Sequence, residues 1–147
     1  MEITRRADYA IRLVAKLLEC EGEPLSLRAA AQAQDVPYAF ARSIQHELVQ
    51  QGVIRAVRGP KGGMLLNVDP GEFTLFQLIE VVQGPVSVAV CVSDPKWCAR
   101  ANGCPFHEVW QGADVLLKDY LTSVTIQDLI SGEKAHITSL YSAVGAK

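Results

Sequence analysis

The sequence predicts a mainly α-helical fold, a winged helix–turn–helix domain (α+β through its wing) followed by a long helix suited to dimerisation. Three observations carry this. Apolar residues recur at helical spacing over residues 4–20 and again over 105–121. An alanine-rich stretch, "LRAAAQAQ", is followed within three residues by Pro37, the pattern of two helices joined by a tight turn. A basic, glycine-rich tip, "RGPKGG", separates two β-prone stretches, "VIRAVRG" and "GMLLNV".

Each element has its own signals. Thr4 is placed to cap the first helix, whose apolar face is Ala7, Ala10, Ile11, Val14, Leu17 and Leu18. Arg5, Arg12 and Lys16 lie off that face and Asp8 lies near its edge. "EGEP" breaks the chain, and Ser26 caps a short helix running to about Gln34. Asp35-Val36 makes the turn. The third helix, from Pro37 to about Gln51, is expected to bury Phe40, Ala41, Ile44, Leu48 and Val49, with Gly52 as its left-handed stop. After the hairpin, Thr74 caps a fourth helix over Leu75–Gln83. Pro105 starts the long helix, which carries Val109, Trp110, Ala113, Leu116, Leu117, Tyr120 and Leu121 on a broad apolar face. Thr125 and Gly132 bracket a last short helix. The expected segments are therefore a winged helix–turn–helix domain over 1–83, a cysteine-rich loop over 84–104, the long and short helices over 105–131, and a weakly patterned tail over 132–147.

Composition narrows the function. With 49% hydrophobic and 20% charged residues in 147, the chain is globular rather than disordered. No apolar run is long enough to span a membrane, and "MEITRRADYA" has no secretory core, so a cytoplasmic location is expected. Residues 1–61 hold nine Lys/Arg against seven Asp/Glu, whereas 62–147 hold five against nine. That asymmetry turns the N-terminal half toward an anionic partner. The long helix has more apolar surface than so small a domain covers, which points to pairing with a second copy. A two-fold dimer would set two recognition helices one DNA turn apart, about 34–36 Å.

"CVSDPKWCARANGCPFH" concentrates the chemistry. Cys91, Cys98 and Cys104 are spaced by six and then five intervening residues, and His107 follows. Zinc sites pair cysteines more closely than this. Three thiols on one polar loop instead suit an iron–sulfur cluster that takes a further ligand from elsewhere. Cys104 precedes Pro105 at a helix N-terminus, where the helix dipole favours an anionic sulfur. Cys20, at the end of the first helix, reads as packing, and His46 and His136 have no partners that would give them a metal role.

"TRRADYAIR", "VRGPKGG" and the triple-cysteine loop followed by "HEVW" together resemble the Rrf-two family of winged-helix transcription regulators, over residues 1 to about 131. Members include iron–sulfur cluster regulators and nitric-oxide-sensing repressors. The resemblance implies a homodimer, binding to a double-stranded DNA operator through the third helix and the wing, and one iron–sulfur cluster (2Fe-2S or 4Fe-4S) per subunit. Both fourth ligands found among those members have a counterpart here. "ADYAIR" offers Asp8, which would reach the partner subunit's cluster, and "CPFHEVW" offers His107, which would act within its own chain. The "DY" match places Asp8 slightly ahead. The first cysteine gap is one residue longer than is usual in those relatives, which leaves the cluster type open.

In that family the third helix enters the major groove and the wing tip the minor groove. Arg42 is the expected base reader, since arginine pairs bidentately with guanine, with Tyr38 and His46 one turn to either side. Arg58 is placed for a narrow minor groove. Arg5, Arg6, Arg28 and Lys61 are expected phosphate contacts. The expected function is a DNA-binding regulator, a repressor, whose operator affinity follows the state of its cluster. The alternative is a clusterless regulator of the same fold that senses through its thiols or a small molecule. A redox enzyme or electron carrier fits least, since the chain has no Cys-x-x-Cys pair, phosphate loop or Ser/His/Asp grouping.

Overall fold

Thr4 opens helix α1 (Arg5–Glu19), its hydroxyl accepting from the Ala7 N–H at 3.2 Å. The structure is a computed structural model that describes residues 2–94 and 96–132. Beyond Gly132 the expected tail, with His136, lies outside the described residues. Ala7, Ala10, Leu13, Val14 and Leu17 are the buried face of α1, while Ile11 and Leu18 pack partly buried at its margins.

α2 (Leu27–Ala33) is capped by Ser26, and α3 (Tyr38–Gln50) follows a turn in which Asp35 takes a left-handed φ of 51°. Val36 is the apolar plug of that turn: it is buried, and its N–H bonds the Ala31 carbonyl at 2.9 Å. Ala41, Ile44 and Leu48 drive α3 into the core. Fully burying side chains such as Ile44 and Leu48 stabilises the fold by about 1.5–3 kcal/mol each. The structure corrects the expected core at two positions. Phe40 and Val49 are 47% and 39% exposed, because each sits one residue outside the Ala41–Ile44–Leu48 stripe. Phe40 instead meets the Tyr9 ring edge-on, with centroids 5.8 Å apart.

The wing is an antiparallel pair, β1 (Ile54–Val57) with β2 (Gly63–Leu66), in register Ile54↔Leu66 to Val57↔Gly63. A further rung holds it to the helices: Leu25 exchanges two backbone hydrogen bonds with Met64, at 3.1 and 2.8 Å. This explains Gly63, since a Cβ there would lie 2.6 Å from the Leu25 backbone. The wing base is thereby pinned to the entry to α2.

α4 (Leu75–Gln83) begins with a capping box between Thr74 and Gln77. At its end the Gln83 side-chain oxygen accepts from the Thr4 N–H at 3.1 Å, tying α4 to the start of α1. A four-residue turn, α5 (Val90–Ser93), precedes α6 (Pro105–Ser123) and α7 (Ile126–Ser131). α7 returns to the main core through fully buried Ile126. α6 docks through a smaller cluster of Ile79, Val86 and Leu121, with Ile11 and Leu117 around it. The rest of its apolar face is open to solvent in the single chain, with Val109 63%, Val115 57% and Leu116 72% exposed. No helix among the described residues is long and apolar enough to cross a membrane.

Candidate nucleic-acid interface and cysteine loop

The solvent face of α3 presents Tyr38, Arg42 and His46, which line one open depression with Ala39 and Ser43. Two expected phosphate-contact residues are already engaged there. The Arg28 guanidinium lies 5.1 Å from the Tyr38 ring centroid, within cation–π range. Arg6 donates to the Ser43 hydroxyl at 2.8 Å and to the Ser43 carbonyl at 3.3 Å. Arg5, Arg58 and Lys61 are exposed, the last two at the wing tip. The tip is glycine-dependent, because a Cβ on Gly62 would collide with the Val57 carbonyl oxygen. Ser43 went unremarked in the sequence; its position one turn from Ala39, on the Arg42 side of the helix, was the available signal.

The cysteine loop is partly helical, which its composition did not announce. Cys91 lies on α5, Cys98 stands between two turns, and Cys104 is the N-cap residue of α6 with no side-chain cap bond. Successive turns run from Cys98 to His107: Ala101 N–H to the Cys98 carbonyl at 3.1 Å, Cys104 N–H to the Ala101 carbonyl at 3.4 Å, and His107 N–H to the Cys104 carbonyl at 3.1 Å. All four cysteines of the chain are free thiols of intermediate burial. Cys20 Sγ lies 3.3 Å from the Lys16 carbonyl, inside the helix end. His107 Nδ1 is buried and has no hydrogen-bond partner. Among the described residues no three His, Cys, Asp or Glu side chains converge closely enough to hold a metal ion. The Asp8 carboxylate pairs with Arg12 at 3.0 Å on the half-exposed side of α1.

One residue of this region was missed altogether. Asp114, on α6, is 3% exposed. Its Oδ1 accepts from the Val88 N–H at 2.9 Å and its Oδ2 pairs with Lys118 at 2.8 Å. Burial works to raise its pKa, but the bonds from Lys118, Val88 and Ser87 outweigh that and hold it below the usual carboxylate value. An aspartate four residues before a lysine, on a helix otherwise read for its apolar face, was the only sequence signal.

The chain is similar to known transcriptional regulators over most of its length. The Rrf2 (Rrf-two) family, described as iron-dependent transcriptional regulators, matches residues 3–132. An Aquifex aeolicus protein named "Putative HTH-type transcriptional regulator" is 28% identical over 131 residues, 88% of this chain and 91% of that protein. The HTH-type transcriptional regulator CymR of Bacillus subtilis is 27% identical, over 89% of this chain and 91% of its own. A solved structure of CymR, described as the global cysteine regulator of B. subtilis, superposes with a TM-score of 0.76 at 25% identity, covering 91% of this chain and 99% of that one. The HTH-type transcriptional regulator IscR of Cronobacter sakazakii is 24% identical, over 91% of this chain and 83% of its own. These relatives are regulators and not enzymes. The chain belongs to the Rrf2 family of DNA-binding, helix–turn–helix transcriptional regulators.

Proposed function

We propose that this regulator sets its operator affinity through an iron–sulfur cluster held by Cys91, Cys98, Cys104 and His107, and that it acts as a homodimer. The observation that carries the ligand set is the His107 Nδ1, buried without a partner one turn from Cys104. A buried polar atom left unpaired costs free energy, and a metal bond would remove that cost. Three free thiols on the same loop supply soft donors. The family's description as iron-dependent points the same way. Asp8 ranks second here because its carboxylate is already paired with Arg12. When bound, a cluster supplies a redox-sensitive link among its ligands.

The chain's own residues explain how such a link reaches DNA. Cys91 and Cys104 lie at the two ends of the loop, on α5 and at the start of α6, so joining them fixes the loop onto α6. α6 rests on the small Ile79–Val86–Leu121 cluster, which also touches Ile11 of the reading domain. Pairing of the exposed Val109 and Leu116, seven residues apart on one stripe of α6, with their copies would couple the two recognition helices. Arg42 would read a base in the major groove, and Arg58 would enter the minor groove.

A second reading is a clusterless thiol or small-molecule sensor. It is favoured by the likeness to CymR, the global cysteine regulator, and by the absence of a converged ligand group among the described residues. Alanine replacement at Cys91, Cys98, Cys104, His107 and Asp8, with visible spectra taken on anaerobically purified protein, separates the two. The proposal expects loss of absorption in each cysteine variant, an altered spectrum for His107→Ala and an unchanged one for Asp8→Ala. The reverse pattern for His107 and Asp8 moves the ligand to the partner chain, and colourless wild-type protein supports the thiol sensor.

A further inference from the structure

We propose that Asp114 is a positioning residue that hangs the first cysteine arm, residues 86–93, on the face of α6 that carries His107. The inference deepens the reading of the cysteine loop given above and rests on it for its bearing on the cluster. Among the described residues Asp114 is the only charged side chain that is buried. A helix does not need such a residue for an ion pair, since Asp114 and Lys118 would satisfy each other in solvent. What requires burial is the other oxygen, which receives the Val88 N–H from outside the helix at 2.9 Å.

Residues 84–89 belong to no helix or strand, so this segment has few fixed points. Val86 is one, buried against Ile79 and Leu121. The Val88–Asp114 bond is the second, and α5 with Cys91 begins two residues after it. Val92 of α5 and Asp114 line the same depression on α6, together with Gln111 and Val115. Asp114 stands seven residues after His107, which is two helical turns with an offset of only about 20°. The tether therefore brings the Cys91 arm down on the stripe of α6 that begins with His107, one turn after the Cys104 N-cap. Lys118, 40% exposed at its side chain, keeps the carboxylate charged there while its ammonium reaches solvent.

The test uses the full-length protein in three variants, Asp114→Ala, Asp114→Asn and Lys118→Met, each checked for helix content. Amide hydrogen exchange over residues 86–93 is measured without iron, along with the alkylation rate of Cys91 as the sole cysteine. Asp114→Ala should speed Val88 exchange at least about tenfold, as expected for a lost bond to a buried charge, and should raise Cys91 reactivity. Asp114→Asn, whose amide oxygen still accepts from Val88, should restore most of the protection. Unchanged Val88 exchange and Cys91 reactivity in Asp114→Ala would overturn the proposal, even if thermal stability falls. If Asp114→Ala does not fold, Asp114→Asn and Lys118→Met decide: the tether predicts slow Val88 exchange in both, and fast exchange in Asp114→Asn overturns it. Wild-type protein that carries no iron when purified without oxygen, yet shows an Asp114-dependent Val88 amide, would sustain the tether while removing the cluster reading. Cluster loss to a chelator at the same rate in wild type and Asp114→Ala would overturn the positioning role at the cluster.

Discussion

Arg6 of α1 grips Ser43 of α3 by two hydrogen bonds, to the hydroxyl at 2.8 Å and to the carbonyl at 3.3 Å. The first helix is thereby tied to α3 at the residue next to Arg42. An arginine so committed acts first as a strut. Arg6→Ala is expected to lower stability by about 1 kcal/mol, the order of a lost partly exposed hydrogen bond. It should also weaken DNA binding without changing the slope of affinity against salt. Lys61→Ala and Arg5→Ala, which remove exposed cations, should instead reduce that slope by about one unit each. Salt titrations of the three variants check this.

Base reading and groove reading should separate cleanly. Arg42→Ala is expected to cost about 1–3 kcal/mol of operator binding and to relax selection at one base position. Arg58→Ala should preserve the core site but lower the preference for A·T-rich flanks, whose narrow minor groove attracts arginine. DNA selected from random pools by each variant gives both answers.

The open ridge of α6 is the expected subunit contact. Leu116→Glu places a charge on a side chain that is 72% exposed in the single chain, so the fold should survive. The variant is expected to sediment as a monomer with near-normal helix content and to lose most operator affinity. A dimer of unchanged stability would remove this face from the interface.

Asp114 gives stability a defined pH dependence. Its folded carboxyl lies below the usual value because the bonds from Lys118, Val88 and Ser87 outweigh burial. The unfolded chain takes up the proton first as pH falls, so the contribution is complete above the unfolded carboxylate value of about 4 and is lost as pH drops through the folded one. Denaturant midpoints of wild type and Asp114→Asn should differ near neutral pH and converge in acid.

The winged helix was legible in the sequence because its signals are local. Thr4, Ser26, Thr74 and Thr125 cap the helices they precede, and Gly52 and Gly132 take left-handed φ values of 72° and 66°. Periodicity placed Ala41, Ile44 and Leu48 inside but did not exclude the flanking Phe40 and Val49, since the edge of an apolar stripe is set by what packs against it. The Leu25–Met64 pairing and the Val88–Asp114 bond were illegible because each joins residues far apart in the chain. The cysteines could be read from the sequence only as three thiols on one polar loop. The short helix that carries Cys91 and the unpartnered His107 Nδ1 could not, because both depend on how the loop lies on α6.

The central claim is that cluster state controls DNA affinity, and one experiment addresses it. Protein purified without oxygen is assayed for iron, sulfide and visible absorption, and its affinity for a selected operator is measured before and after iron removal. The account predicts coloured protein with one cluster per chain and at least about a tenfold change in affinity, within the range of ordinary allosteric coupling. Colourless protein, or one affinity for both forms at fixed salt, would contradict it.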